Sequence, residues 1–209
     1  MNYDSVPLRD FKELNDWETV IFVYQSALKQ VETKIDILNG EFQHRHKYNP
    51  IEHVKSRIKT PESIVKKLKR HGYESSIENM VRYVNDIAGI RISCSFTSDI
   101  YLIADMISKQ NDLTILARRD YMKNPKKSGY RSYHMLVTTP VFLSDSIIDT
   151  KVEIQIRTVA QDFWATLEHK MHYKFEGDGP DYITKELREC ARYVAAVSYT
   201  HLRAHETRH

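Results

Sequence analysis

Two carboxylates and two clusters of basic residues are the parts of this chain best equipped for chemistry. Asp86 precedes an apolar-alternating segment, and Glu153 lies inside another. Segments of that kind pair into sheets, so the two acids could meet although they are far apart in the sequence. A pair of carboxylates suits a magnesium ion, which takes a few protein oxygens and keeps several waters. A lone carboxylate at a strand end is more often a structural cap. The basic clusters add a second signal. Lys55, Arg57, Lys59, Lys66, Lys67, Lys69 and Arg70 stand against Glu62 alone between 55 and 70. Arg118, Arg119, Lys123, Lys126, Lys127 and Arg131 stand against Asp120 alone between 118 and 131. Either cluster could be a solvated face. Together with the acids they point to a phosphate-rich ligand, a nucleotide or a nucleic acid.

The run Lys126-Lys127-Ser128-Gly129-Tyr130-Arg131-Ser132-Tyr133-His134 carries the most information. Gly129 allows the backbone to bend closely around a ligand. Tyr130 offers a flat face to a base, an interaction worth about 1–3 kcal/mol. The same run also fits a basic loop leading into a strand whose tyrosines pack in the core.

Hydrophobic periodicity supplies the elements that must position these groups. Trp17, Val20, Ile21, Tyr24, Leu28, Val31, Ile35 and Leu38 recur at helical spacing, predicting a helix over 14–39 with Gly40 as its stop. Thr60-Pro61-Glu62-Ser63 reads as a helix start, with Thr60 as cap and Pro61 in the first turn, and the helix ends near His71-Gly72. Period-two alternation predicts strands over 88–96 and 151–157, with further strands over 113–117 and 133–139. Helices are expected over 98–109, 159–174 and 181–197. The expectation is an α/β (α+β) chain, a mixed sheet of about five strands with helices packed on its apolar face and helices at both ends. Its other face would carry Arg91, Ser93, Glu153, Gln155 and Arg157, a floor lined with both signs of charge.

The whole chain sets outer bounds. Its 209 residues, 41% hydrophobic and 28% charged with a formal net charge of +3, suit one globular domain over 1–197. No apolar run reaches the roughly 20 residues that cross a bilayer, and charges near the N-terminus argue against a secretory signal. Cys94 and Cys190 form neither a disulfide framework nor a zinc spacing, and His44, His46 and His53 read as surface residues. Cytoplasm is the expected location. Residues 198–209 hold three of the ten histidines, break the preceding pattern and read as a non-native tail.

Four motifs in order bring a known family into view. Arg57-x-Lys59, Asp86-Ile87-Ala88-Gly89-Ile90-Arg91, the run from Lys126 to His134, and Glu153-Ile154-Gln155-Ile156-Arg157-Thr158 resemble the RelA/SpoT-type (p)ppGpp synthetase domain. With Phe163-Trp164-Ala165-Thr166-Leu167-Glu168-His169 the chain looks like a single-domain small alarmone synthetase, over about 14–197. The resemblance implies a nucleotidyltransferase-like synthetase fold. It also implies transfer of pyrophosphate from ATP to the 3′-hydroxyl of GDP or GTP, with AMP leaving. Asp86 would hold magnesium at the ATP phosphates. Glu153 would contact magnesium and orient or deprotonate the acceptor hydroxyl. Arg57 and Arg91 would sandwich the adenine. Lys59, Ser63, Lys67, Arg70 and Arg119 would hold the triphosphate. Tyr130 would stack on guanine, with Lys126, His134 and Gln155 completing the acceptor site. No His-Asp pair with companion metal-ligand motifs is present, which implies synthesis without hydrolysis. Members of the family commonly form tetramers. An RNA-binding regulator that reads single strands through its basic surface is the alternative from another class, and a related transferase with another acceptor is a second.

Overall fold

In the computed structural model, residues 16–46, 48–175 and 180–206 are described. Five strands form one sheet: β1 (Ile51–Ile58), β2 (Ala88–Cys94), β3 (Thr114–Asp120), β4 (Tyr133–Phe142) and β5 (Ile147–Thr158). Their spatial order is β1-β2-β5-β4-β3, and β2 pairs with β5 in parallel while every other pairing is antiparallel. Six helices accompany them: α1 (Trp17–His46), α2 (Pro61–Arg70), α3 (Ile77–Tyr83), α4 (Thr97–Ser108), α5 (Val159–Lys174) and α6 (Asp181–Glu206). The expected mixed five-stranded α+β sheet is therefore present. Among the described residues, no helix is long and apolar enough to cross a membrane.

The alternation along β2 and β5 decides which face is core. Ile90, Ile92, Val152, Ile154 and Ile156 are buried on one side of the sheet, and α1 and α4 pack over these strands. From α1 come Val20, Val23, Tyr24, Ala27, Leu28, Val31 and Ile35; from α4 come Ile100, Ile103, Ala104 and Ile107. Each such fully buried aliphatic side chain contributes about 1.5–3 kcal/mol over an exposed one. With that side of the sheet sealed, the opposite one is left to polar groups.

Local chemistry explains where two of the helices start. Thr60 Oγ1 accepts the Ser63 backbone N–H at 3.3 Å and Pro61 opens α2, as the sequence predicts. Ser76 Oγ caps α3 by accepting Asn79 N–H at 3.2 Å.

Three expectations are corrected. Gly40 does not stop α1, which runs on to His46; a helical glycine costs only about 1 kcal/mol. The turn beyond it is held by the Arg45–Glu41 ion pair at 2.9 Å and by Phe42 against His46. The predicted start at residue 14 lies outside the described residues. The helix expected over 181–197 continues to Glu206, so the backbone does not break at Ser198. Ser198 is itself buried, and its Oγ donates to the Val194 carbonyl at 2.9 Å. Residues 207–209 lie outside the described residues. Finally, β1 and α3 were not foreseen. The apolar residues of β1 fall at 51, 54 and 58 without period two, because it is a mostly exposed edge strand with a register irregularity between Ile51 and His53.

One buried cation ties the sheet to the loop before β2. Lys151 of β5 is 2% exposed, and its Nζ donates to Asn85 Oδ1 at 2.8 Å and to the Arg82 carbonyl at 3.3 Å. Burial, helped by the charge of Lys67, pushes this amine down to about 8 from the ordinary 10.5. Above pH 8 the unfolded chain therefore holds a proton that the folded chain has released, so stability rises with pH in that window. Relative to Lys151→Met, wild type should gain about 2 kcal/mol between pH 7.5 and 10, read from urea denaturation at each pH. A pH-independent difference would contradict the buried amine.

Candidate active site

Strand register arranges the polar face into rows. One row crosses all five strands as Lys55, Arg91, Gln155, His134 and Arg119. The adjacent row runs Arg57, Gly89, Glu153, Leu136 and Ala117. In the second row Gly89 puts no side chain between Arg57 and Glu153. A cavity lies directly over that spot, lined by Arg57, Asp86, Gly89, Arg91, Glu153 and Gln155 among others. Two more cavities adjoin it. One of about 660 Å³ runs from Arg57 and Arg91 past Lys126, Tyr130, His134 and Arg157 to α5. The other holds Lys67, Asp86, Arg119, His134 and Glu153. Shared walls make the three one continuous cleft.

The acids lie at the centre of it. Asp86 Oδ1 accepts from Lys67 Nζ at 2.7 Å and Oδ2 from Lys59 Nζ at 3.1 Å. Burial raises the Asp86 pKa, but the hydrogen bonds and charges of Lys67 and Lys59 outweigh it and leave the carboxyl below its ordinary value. Glu153 shows the same balance. Burial raises it, while the hydrogen bonds and charge of His134 and the amide of Gln155 win and lower it. Its Oε1 lies 3.4 Å from His134 Nδ1, and its Oε2 accepts from Gln155 Nε2 at 2.9 Å. Both carboxylates are thus ionised at neutral pH, in a cleft otherwise rich in cations.

Tyr130 stands at the other end. Its hydroxyl lies 2.9 Å from His134 Nε2 and accepts from Arg157 Nη2 at 3.2 Å. Lys126 Nζ sits over the ring at 4.8 Å from the centroid, and Tyr121 meets both Tyr130 and His134 edge-on. Gly129, just before it, has φ +96°, a conformation that favours glycine. A Cβ there would also lie 2.5 Å from Ala191 Cβ of α6. The single acid of the basic loop, Asp120, is used locally: its Oδ1 accepts the N–H groups of Met122 and Lys123 at 2.9 and 3.0 Å.

Most residues expected to form a site are gathered in this cleft: Asp86, Glu153, Arg57, Lys67, Arg91, Arg119, Lys126, Tyr130, His134 and Gln155 line it, and Lys59 joins through Asp86. Ser63 and Arg70 share the α2 face of Lys67 by helical spacing but line none of the three cavities, and the Ser63 hydroxyl instead meets Thr60 Oγ1 at 3.0 Å. Several residues went unassigned in the sequence. Arg157, 2% exposed, holds Tyr130 and donates to Gln155 Oε1 at 2.6 Å. Its place two residues beyond Gln155 on one strand face was a usable signal. The wall from α5 includes Ala165, Thr166, Glu168, His169 and His172; the first four belong to the run that supports the family resemblance but were given no role, because the approach of α5 to the sheet is a tertiary fact.

Arginines, an acid pair and a tyrosine thus share one cleft. A family model described as "Region found in RelA / SpoT proteins" matches residues 56–178. The chain belongs to the RelA/SpoT family. Among curated relatives it is 47% identical to the GTP pyrophosphokinase YwaC of Bacillus subtilis (strain 168), over 85% of each chain. Among solved structures it is similar to small alarmone synthetase 2 from Bacillus subtilis, with a TM-score of 0.84 and 42% identity over 92% of this chain and all (100%) of the other. Small alarmone synthetase 1 from the same organism, bound to its product pppGpp, gives a TM-score of 0.85 at 31% identity, over 92% and 97%. That protein has also been solved with AMPCPP (TM-score 0.77, 29% identity, 92% and 98% covered). The fold is that of the small alarmone synthetases.

The backbone at Gly129 gives a direct check on how this end of the cleft is built. Gly129→Ala should cost about 1–3 kcal/mol in urea denaturation, from the strained φ and the contact with α6. An unchanged midpoint would mean that the loop and α6 do not press on each other.

Proposed function

We propose that this chain is a GTP/GDP pyrophosphokinase, transferring the β,γ-pyrophosphate of ATP to the 3′-hydroxyl of GDP or GTP to give ppGpp or pppGpp and AMP. The observation that carries the reading is one cleft that joins an acid pair to two base-binding groups. Asp86 and Glu153 line a cavity with Arg57 and Arg91, and the same two arginines line the adjoining cavity with Tyr130 and Lys126. Support comes from the relatives: one is named a GTP pyrophosphokinase, and one has been solved both with pppGpp and with AMPCPP.

In this reading Arg57 and Arg91 stack on the adenine, using flat guanidinium faces that lysine lacks. Lys59, Lys67 and Arg119 hold the triphosphate from below, with Ser63 and Arg70 available on α2 as it extends outward. Phosphate oxygens draw Lys59 and Lys67 away from Asp86. Asp86 and Glu153 then suit a magnesium ion. Among the described residues no group of three or more His, Cys, Asp or Glu gathers into a fuller cage. Two carboxylates completed by substrate phosphates are the usual magnesium arrangement. When bound, the ion supplies charge neutralisation on the transferring phosphates.

Tyr130 stacks on the guanine once Lys126 leaves its ring, and Lys126, His134 and Gln155 hold the rest of the acceptor. Its 3′-oxygen attacks the β-phosphorus of ATP; the bond from that phosphorus to the α,β-bridging oxygen breaks, and AMP leaves with that oxygen. The acceptor proton passes to Glu153 or through it to water. Because the carboxyl of Glu153 sits below its ordinary pKa, it aligns the hydroxyl better than it holds a proton. Alignment and charge neutralisation carry the rate, without a covalent intermediate.

The cytoplasm, where both nucleotides are abundant, is the proposed location. A homotetramer is the proposed assembly, supported by Phe163 on α5 and by Tyr193 and Val197 on α6, all exposed. Two ionised acids on the cleft floor disfavour the alternative of a pure RNA binder, whose phosphates they would repel.

Anion-exchange chromatography of ATP with GTP or GDP, magnesium and purified protein tests the activity. Wild type should yield AMP and (p)ppGpp, and Glu153→Gln should lower the rate by about 10²–10⁴. Folded wild-type protein that makes no such product would overturn the proposal. Tyr130→Ala should raise the KM for guanine nucleotide about 5- to 100-fold while leaving that for ATP within about 2-fold. Equal rises would sink the stacking role.

A further inference from the structure

The carboxylate of Asp162 has no part in the reaction above, yet it reaches both halves of the site. It stands in the first turn of α5, just past the end of β5, with its side chain 16% exposed. Its Oδ1 lies 3.3 Å from Arg91 Nη1 and 3.6 Å from Arg157 Nη1. That oxygen makes no hydrogen bond of acceptable geometry. It serves as a fixed negative charge between two guanidinium groups.

Both arginines line the large cavity, but each has a further engagement of its own. Arg91 also lines the smaller cavity with Arg57, Asp86 and Glu153. Arg157 uses its other terminal nitrogen, Nη2, to donate to Tyr130 Oη at 3.2 Å and Gln155 Oε1 at 2.6 Å. The two arginines are also close enough in charge to oppose each other: burial is the chief influence lowering the Arg157 pKa, and the charge of Arg91 adds to it. Without an anion between them they would separate, one moving in the cavity beside Arg57 and the other beneath Tyr130. A single carboxylate that holds both sets the spacing of the two ends of the cleft.

We propose that Asp162 is a positioning residue that fixes the donor and acceptor subsites relative to each other, through Arg91 on one side and Arg157 on the other. The inference rests on the reading that ATP and a guanine nucleotide occupy these two ends. Removing the charge releases both arginines, so both nucleotides lose affinity together. A residue that only started α5 would alter stability and leave both affinities alone.

Isothermal titration calorimetry of AMPCPP and of GTP, each into wild type, Asp162→Asn and Asp162→Glu, tests this alongside thermal melting. Asp162→Asn should weaken both ligands by about 5- to 20-fold, and Asp162→Glu should bring both back to within about 3-fold of wild type. Weakening of one ligand alone, or of neither, overturns the proposal. Asp162→Ser replaces the asparagine variant if the latter does not fold. Unfolding of both assigns Asp162 to stability and overturns the proposal as well. Since the readout is binding, a wild type that binds both nucleotides but forms no (p)ppGpp fails the functional reading without touching this one. A wild type that binds neither fails both.

Discussion

A β-strand has two faces, and β5 uses them for opposite purposes. Val152, Ile154 and Ile156 go to the core under α1 and α4, while Lys151, Glu153, Gln155 and Arg157 go to the other side. A slip of one residue would exchange the two sets, burying charge in the core and laying isoleucine on the cleft floor. Register is therefore enforced by the same hydrophobic burial that stabilises the fold. The rows across the sheet follow from it: once β5 is in register with β2 and β4, Arg91, Gln155 and His134 must lie side by side.

Charge balance is the second constraint. The cleft gathers many cations, and three acids are set among them. Asp86 bridges Lys59 and Lys67, Glu153 faces His134, and Asp162 stands between Arg91 and Arg157. Partly buried cations at this density would repel one another strongly without such anions. The acids consequently have a structural duty as well as a chemical one. For Asp86 the two conflict, because phosphate must take over its lysines before its oxygens are available to anything else.

How much of this was legible in the chain differs by residue. Alternation at 88–94 and 151–157 gave both central strands and the polar floor, because those strands have one sealed face and period two is undiluted there. The Thr60 cap was legible because capping is local chemistry. Edge strand β1 was not, since an exposed strand needs no apolar alternation. Gly40 misled because a helical glycine costs only about 1 kcal/mol and i,i+4 contacts hold the turn beyond it, and Ser198 misled because Thr97 and Thr158 hold it against the fold. Among the site residues, those carried by the four motifs were found. Arg157 was placed on the polar floor by its spacing but given no role, and Asp162 was not singled out, because its contacts with β2 and β5 are encoded by no spacing. Ser63 and Arg70 mark the reverse case, implied by the family resemblance yet lining none of the three cavities.

The parallel pairing of β2 with β5 also has a kinetic meaning. β4 and β5 join through a short hairpin, and β1, α2, α3 and β2 follow one another along the chain, so each half can organise through contacts near in sequence. Arg57, Asp86 and Arg91 belong to one half; Tyr130, His134, Glu153 and Arg157 belong to the other. The β2–β5 ladder joins residues more than sixty apart, Gly89 with Glu153 through Cys94 with Thr158. Closing so long a loop has an entropic cost that delays it relative to local pairing. Neither half holds a complete site, and a nascent or refolding chain becomes competent only when its slowest contact closes.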